Sequence, residues 1–378
     1  MTVTATNTPV PPIGQVIRRG TAYAHFAYDV GLSIQLDQVE ALISENKQRE
    51  TIRRTRRAPT YFEYQAPPLR LAQSCDRVPL GRFATAPTAE ILVFDFGAVS
   101  VTFSVPLEGA FDDLRALADD LYDNTRLLES SQTLVEALAR SIRPAIVKPG
   151  PSNRVEDYMI YQIESLEPAE PPAEFVGRNA LAVAQILRAE QGPLSAQEID
   201  DALSCRMSFS PSDVTIIDWN AAMLFDAEAD DVRAVLEFSN VELLEMRFLD
   251  DQLDRALDRA TEALGRMRGF VSTVLHGSAA DLRRIAELQI DAALLYESVN
   301  NTLKLMGDPY LARVSRLASQ RFHLNDWDAS ILRKLQTIES VYQKIADRES
   351  TRRMELLEWI IIALIAVSIL LPLTGGNK

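Results

Sequence analysis

Lys47, Arg49, Arg53, Arg54, Arg56 and Arg57 place six basic side chains within eleven residues, against the single acid Glu50. Such a run can neutralise several phosphates at once, so RNA, a ribosome or lipid phosphate is the kind of partner it fits. The competing reading is a solvated helix end. His25, His276 and His323 stand apart, none with a cysteine or carboxylate at metal-ligand spacing, and His276 suits a helix C-terminus. Asp95-Phe96-Gly97 has the order of the kinase metal-binding tripeptide, but no glycine-rich loop or HRD-type catalytic loop accompanies it. No phosphate-binding loop, dinucleotide fingerprint or nucleophile elbow is found. The paired acids (Asp112/Asp113, Asp119/Asp120, Asp200/Asp201, Asp230/Asp231, Asp250/Asp251) read as solvated helical faces. No residue is assigned a catalytic, cofactor-binding or metal-ligating role, no small-molecule substrate is implied, and a non-enzymatic protein is expected.

Composition narrows the classes further. The chain has 378 residues, a formal net charge of −14 and a sequence pI near 4.8, which disfavours a general nucleic-acid binder. Hydrophobic content of 47% with 24% charge is that of a folded globular protein. Two cysteines, Cys75 and Cys205, cannot build a disulfide framework and read as buried free thiols.

The elements that must position these residues begin after a leader over 1–15, interrupted by Pro9, Pro11 and Pro12. An α+β domain is expected over 16–227, with a linker near 167–174 (EPAEPPAE). In it Val99, Val101 and Phe103 alternate with Ser100, Thr102 and Ser104, the period of a half-buried strand, and Gly97 supplies the turn before it. Helices are expected around 108–123 and 127–143. Ile217 to Ala221 echoes Phe94 to Ala98 at a turn between apolar strands, which suggests quasi-repeated β-hairpins. Residues 180–203 have the look of the first helices of a winged helix and 213–226 could pass for its wing, but CRMSFSPSD stands where the basic recognition helix would be needed, which speaks against DNA binding. From 228 to 353 a long antiparallel helical stalk is expected. Leu253, Leu257, Ala260, Leu264, Met267, Val271 and Val274 form a heptad seam, the helix stops at His276–Gly277, and Ile331, Leu335, Ile338, Tyr342 and Ile345 repeat the spacing.

A transmembrane helix is expected over 354–373, followed by a short tail, 374–378. Its apolar residues are Leu356, Leu357, Trp359, Ile360, Ile361, Ile362, Leu364, Ile365, Val367, Ile369, Leu370, Leu371 and Leu373, with Arg348, Arg352 and Arg353 before them. This predicts a tail anchor in a bacterial inner membrane with the remaining chain cytoplasmic, or in the mitochondrial inner membrane facing the matrix.

Three stretches carry a family resemblance: 208–226 (SFSPSDVTIIDWNAAMLFD), 235–254 (VLEFSNVELLEMRFLDDQLD), and 307–343 running into 352–367. They resemble the "required for meiotic nuclear division" family, in a bacterial form. The resemblance implies a membrane-anchored α+β domain with a helical hairpin, self-assembly and, for mitochondrial members, support of organellar translation. The expectation is therefore a membrane-bound homo-oligomeric scaffold or docking platform. Two alternatives stay open: an enzyme with a cleft in the α+β domain for a nucleotide-like or membrane-associated substrate, and an RNA or ribosome tether through 47–57.

Overall fold

A computed structural model describes residues 14–45, 52–54, 63–64, 67–150, 154–266, 287, 290–293, 296–297, 303–304 and 308–374. They divide into two compact units, Met1–Phe248 with Glu297–Trp327, and Leu249–Tyr296 with Asp328–Lys378.

The first unit is built on one mixed sheet, of nine strands among the described residues. The strands are β1 (Val16–Asp29), β2 (Ile52–Arg54), β3 (Leu69–Ser74), β4 (Thr88–Val93), β5 (Ala98–Ala110), β6 (Val155–Glu167), β7 (Arg206–Met207), β8 (Val214–Ile217) and β9 (Ala221–Phe225). Their order is β7-β8-β9-β6-β1-β5-β4-β3-β2. The long strands β1, β5 and β6 lie side by side and antiparallel at the centre, whereas β9 joins β6 in parallel. On one face β1 and β5 contribute Ala22, Ala24, Phe26, Val99, Val101, Phe103 and Val105. These share a core with helices α2 (Asp113–Leu121), α3 (Thr125–Ser141) and α5 (Ala180–Arg188). The other face of β6, β8 and β9 packs Tyr158, Ile160, Ile217 and Leu224. Its partners are Val232, Val235 and Leu236 of α7 (Asp230–Arg266), and Leu311 and Val314 of α8 (Pro309–Arg321).

β5 carries the expected alternation, but its polar positions are not solvated. Ser100 and Thr102 are buried, because α7 lies over that face and places Glu237 against both hydroxyls. The expected repeat of hairpins is also corrected. The β4–β5 hairpin enters the sheet antiparallel to β1, and the β8–β9 hairpin enters through a parallel pairing, so one continuous mixed α/β sheet replaces two equivalent units. With β9 hydrogen-bonded to β6, residues 213–226 form interior strands and not a free wing.

In the second unit α7 continues from Leu249, and α9 (Leu324–Thr374) supplies most of the rest. Leu253, Ala256, Ile331 and Ile338 are buried, and Leu257, Leu335 and Tyr342 are half-buried. Lys334 reaches Asp250 at 2.7 Å and Asp254 at 2.5 Å. Side chains from Leu264 through the expected break at His276–Gly277 lie outside the described residues.

The expected membrane helix is not supported. No helix among the described residues is long and apolar enough to cross a membrane. The anchor positions Leu356 to Leu373 form the end of α9. Their uninterrupted apolar part, Trp359 to Leu373, covers roughly 22 Å at helical rise, against about 30 Å of hydrocarbon. Glu358 is exposed at its start. The tail anchor, the membrane partner and the bacterial or mitochondrial inner-membrane location all rested on that span and fall with it.

Candidate functional site

β1 ends at Asp29 in a tight corner. The Val30 amide donates to the Gly97 carbonyl at 3.0 Å, the Gly31 amide to Asp29 Oδ1 at 2.9 Å, and the Ile34 amide to the Asp95 carbonyl at 2.7 Å. The corner requires glycine at residue 97, where φ is +104° and a Cβ would overlap the Gly31 carbonyl oxygen. Residues Gly31–Ile34 then pair with Ile146–Pro149. α3, capped at its N-terminus by the Asn124 side chain, runs alongside, and its Ser131 hydroxyl lies 2.6 Å from the Tyr28 hydroxyl.

These elements enclose a cavity of about 720 Å³ lined by Tyr28, Asp29, Val30, Gln132, Val135, Glu136, Ala139, Arg140, Arg143, Ile146, Pro149, Gly150, Arg154 and Val155. Its walls are part apolar and part charged. Three guanidinium groups, Arg140, Arg143 and Arg154, outnumber the two carboxyls, Asp29 and Glu136. Burial pushes the Tyr28 hydroxyl up to about 12, so it remains a neutral hydrogen-bonding group.

Asp29 is unusual among the lining groups. It is 4% exposed, and burial pushes its carboxyl up to about 7, against a smaller opposing effect of the Gly31 amide. Glu245 on α7 adjoins it, is 2% exposed, and has no hydrogen-bond partner at either oxygen. Burial, and then the charge of Asp29, push Glu245 well above the usual carboxylate range.

The Asp29–Glu245 electrostatic pair is the last of a series. Alternate positions of β1 meet successive turns of α7: Arg233 lies over the Tyr23 ring at 4.7 Å, His25 faces Glu237, and Asp29 faces Glu245. Two strand residues advance roughly 6.7 Å and four helix residues roughly 6 Å, so the two periods stay in step. Ala27 and Val241, both fully buried, occupy the intervening step.

Near the middle of the series His25 Nδ1 lies 2.7 Å from the Thr102 hydroxyl, and Ser100 donates to Glu237 Oε1 at 2.8 Å. Arg233 bonds Glu90 at 3.2 Å, and Glu90 pairs in turn with Arg70 at 2.8 Å. Burial opposes the charge on Glu237, but His25 and Arg233 outweigh it and hold that carboxyl down to about 2.

A separate ion-pair network closes the β8–β9 turn. Asp218, fully buried, accepts from Arg188 Nε at 3.0 Å and Arg321 Nε at 2.7 Å. Asp201 bridges the same two guanidiniums at 2.6 and 2.8 Å, and Glu198 pairs with Arg188. Each guanidinium here is paired with at least two carboxylates, and Tyr158 donates to the Asp218 carbonyl at 2.9 Å. The network ties α5, α6 (Ala196–Ala202) and α8 to the sheet and leaves no open group for chemistry.

Among the residues singled out from sequence, Arg53 and Arg54 lie on edge strand β2, and Lys47, Arg49, Arg56 and Arg57 lie outside the described residues. Asp95 is a half-buried turn residue whose Oδ1 has no hydrogen-bond partner. His323 is exposed beside Asp326, 3.1 Å away, and His25 is fully buried. Among the described residues no group of three or more His, Cys, Asp or Glu could hold a metal ion. Sequence reasoning missed Asp29, Arg140, Arg143, Arg154 and Glu245. Only the aspartate ending a long β-prone run just before Gly31 offered a local signal, as turn chemistry.

The fold and pocket define a mixed α/β protein whose cavity sits at one end of its central strands. Residues 19–231 match the family described as "Uncharacterized protein MJ0711, N-terminal domain", and the chain belongs to that family. An uncharacterized protein MJ0711 of Methanocaldococcus jannaschii is 23% identical over 221 residues, covering 58% of this chain and 66% of that protein. The chain thus spans just under two thirds of its relative's length. No solved structure matches.

The match overturns the resemblance to the "required for meiotic nuclear division" family. The blocks 307–343 and 352–367 that carried it lie beyond the matched residues, and they led into a membrane span that is not supported. The relative found is archaeal, neither bacterial nor mitochondrial.

Proposed function

We propose that the first unit binds a small organic anion, an anionic group on an apolar body, in the cavity at the end of β1. The observation that carries the reading is the lining itself. Arg140, Arg143 and Arg154 stand around an apolar wall of Val30, Val135, Ala139, Ile146 and Val155 in a cavity of about 720 Å³. That volume falls within the usual range for small-molecule pockets, and guanidinium groups suit a carboxylate or phosphate. Neither a turnover step nor a cofactor is needed to account for the lining.

Benzoate and inorganic phosphate are suitable probes, because the first has an apolar body and the second has none. Calorimetry on the full chain is expected to show benzoate binding more tightly than phosphate. Charge reversal at Arg140 and Arg143 together should weaken benzoate by at least about tenfold, the equivalent of 1.4 kcal/mol. Equal binding by the double variant, or no binding of either probe, would count against the pocket.

A second reading, self-association through α9, has its own support. Ile360, Ile361, Ile362, Leu364 and Ile365 are each about half exposed or more. Helices apolar on several faces gain by packing against copies of themselves. Sedimentation is expected to show an oligomer for the full chain and a monomer after truncation at residue 353. Identical sedimentation coefficients per mass, with both species monomeric, would dismiss this reading.

A further inference from the structure

Asp29 lines the anion cavity, yet it carries the wrong sign for an anion. Behind it Glu245 is almost completely buried, and neither of its oxygens receives a hydrogen bond. Two adjacent carboxylates without water or a paired cation are strongly disfavoured, and retention of a proton relieves both the burial and the repulsion.

Among the described residues neither carboxyl is in an ion pair with a cation. On β6, Glu156 is paired with Arg247 at 2.7 Å, and burial pushes the nearby Asp157 up. Asp95, in the turn before β5, is likewise pushed up by burial. On α7, Glu242 and Arg247 flank Glu245 in sequence, and two turns back Glu237 is committed to His25, Ser100 and Arg233. Across the cavity stand Glu136, Arg140, Arg143 and Arg154. The Gly31 amide donates to one oxygen of Asp29, Oδ1.

We infer that the pocket takes its anion together with a proton held by the Asp29–Glu245 pair. The inference rests on the cavity being an anion site. A protonated Asp29 donates its hydroxyl hydrogen to an oxygen of the bound carboxylate or phosphate, whereas an ionised Asp29 repels it. The bound anion then favours the protonated pair, and the protonated pair favours the anion, to the same extent in each direction. The ligand class follows: a stable anion that does not itself need to be protonated, accepted more readily as pH falls. The only bond made is the O–H bond of the carboxyl, its proton taken from solvent on binding and returned to solvent on release.

The experiment is benzoate titration of the full chain by calorimetry, in buffers of different ionisation enthalpy, from about pH 6 to about pH 9. Benzoate is the probe because its charge stays fixed across this range, whereas phosphate gains a second negative charge within it. Net proton uptake is expected. Affinity should fall above roughly pH 7, approaching about tenfold per pH unit as uptake approaches one proton. Asp29→Asn should bind benzoate with the pH dependence abolished, and Glu245→Gln, which removes a like charge beside Asp29, should move the fall in affinity to lower pH without removing the site. Benzoate binding that is flat with pH, takes up no proton and still weakens on Arg140/Arg143 reversal would overturn this inference while leaving the anion site standing. Absence of benzoate binding at every pH would overturn both.

Discussion

Glu237→Ala is expected to destabilise the first unit by about 3–5 kcal/mol, the usual cost of removing one partner from a buried charged network. The Glu237 side chain is 2% exposed and the Arg233 side chain 7%. Loss of the carboxylate strands the Ser100 and Thr102 hydroxyls and removes a counter-charge from Arg233. Glu237→Gln keeps an acceptor for the hydroxyls and should cost less. Urea unfolding of the two variants separates these effects, and a loss below about 1 kcal/mol for the alanine would mean that water reaches the site.

The pH dependence of stability has two opposing limbs. Glu237 is held at about 2 against an ordinary 4.5. Its contribution is therefore present above about pH 4.5 and lost as pH falls through about 2. Asp29 is raised from an ordinary 3.8 to about 7, and Glu245 is raised as well. Their contribution is present at acid pH and lost as pH rises through about 7. Glu245→Gln should accordingly gain stability relative to the unchanged chain on going from about pH 5 to about pH 8.

Asp218→Ala should be as damaging, again about 3–5 kcal/mol. It leaves the Arg188 and Arg321 guanidiniums, 11% and 13% exposed, beside each other with only the half-exposed Asp201 and Glu198 to balance them. Because these arginines sit on α5 and α8, loss of the aspartate loosens both helices from the β8–β9 turn. Asp218→Asn retains hydrogen-bond acceptance at one atom and should cost about 1–3 kcal/mol. Equal and small losses for the two variants would show that the network is surface decoration, worth the fraction of a kcal/mol typical of exposed pairs.

Local periodicity made part of the fold legible. Val99, Val101 and Phe103 alternate as a strand must, and the turn at Gly97 follows from its permissive backbone. The same rule misplaced Ser100 and Thr102, because polar alternation signals a polar face and not a wet one. What covers that face is Glu237, 135 residues beyond Thr102. In sequence nothing distinguishes Glu237 and Glu245 from the solvated acids Asp254 and Asp258 on the same helix. Their burial is set by the match between strand and helix periods, which is a tertiary property. The terminal apolar stretch misled for a different reason. Composition resembled a membrane span, but no helix among the described residues is long and apolar enough to cross a membrane. The pocket was hidden because its arginines come from α3, the turn after it and the residue just before β6, three segments joined only by folding.

The anion site is tested most directly by methyl-labelled NMR of the full chain during benzoate titration. Saturable shifts are expected at the Val30, Val135, Ile146 and Val155 methyls that line the cavity, with the Met223 and Leu224 methyls of β9 unmoved. Shifts centred on β9, or an unchanged spectrum at saturating benzoate, would contradict the site.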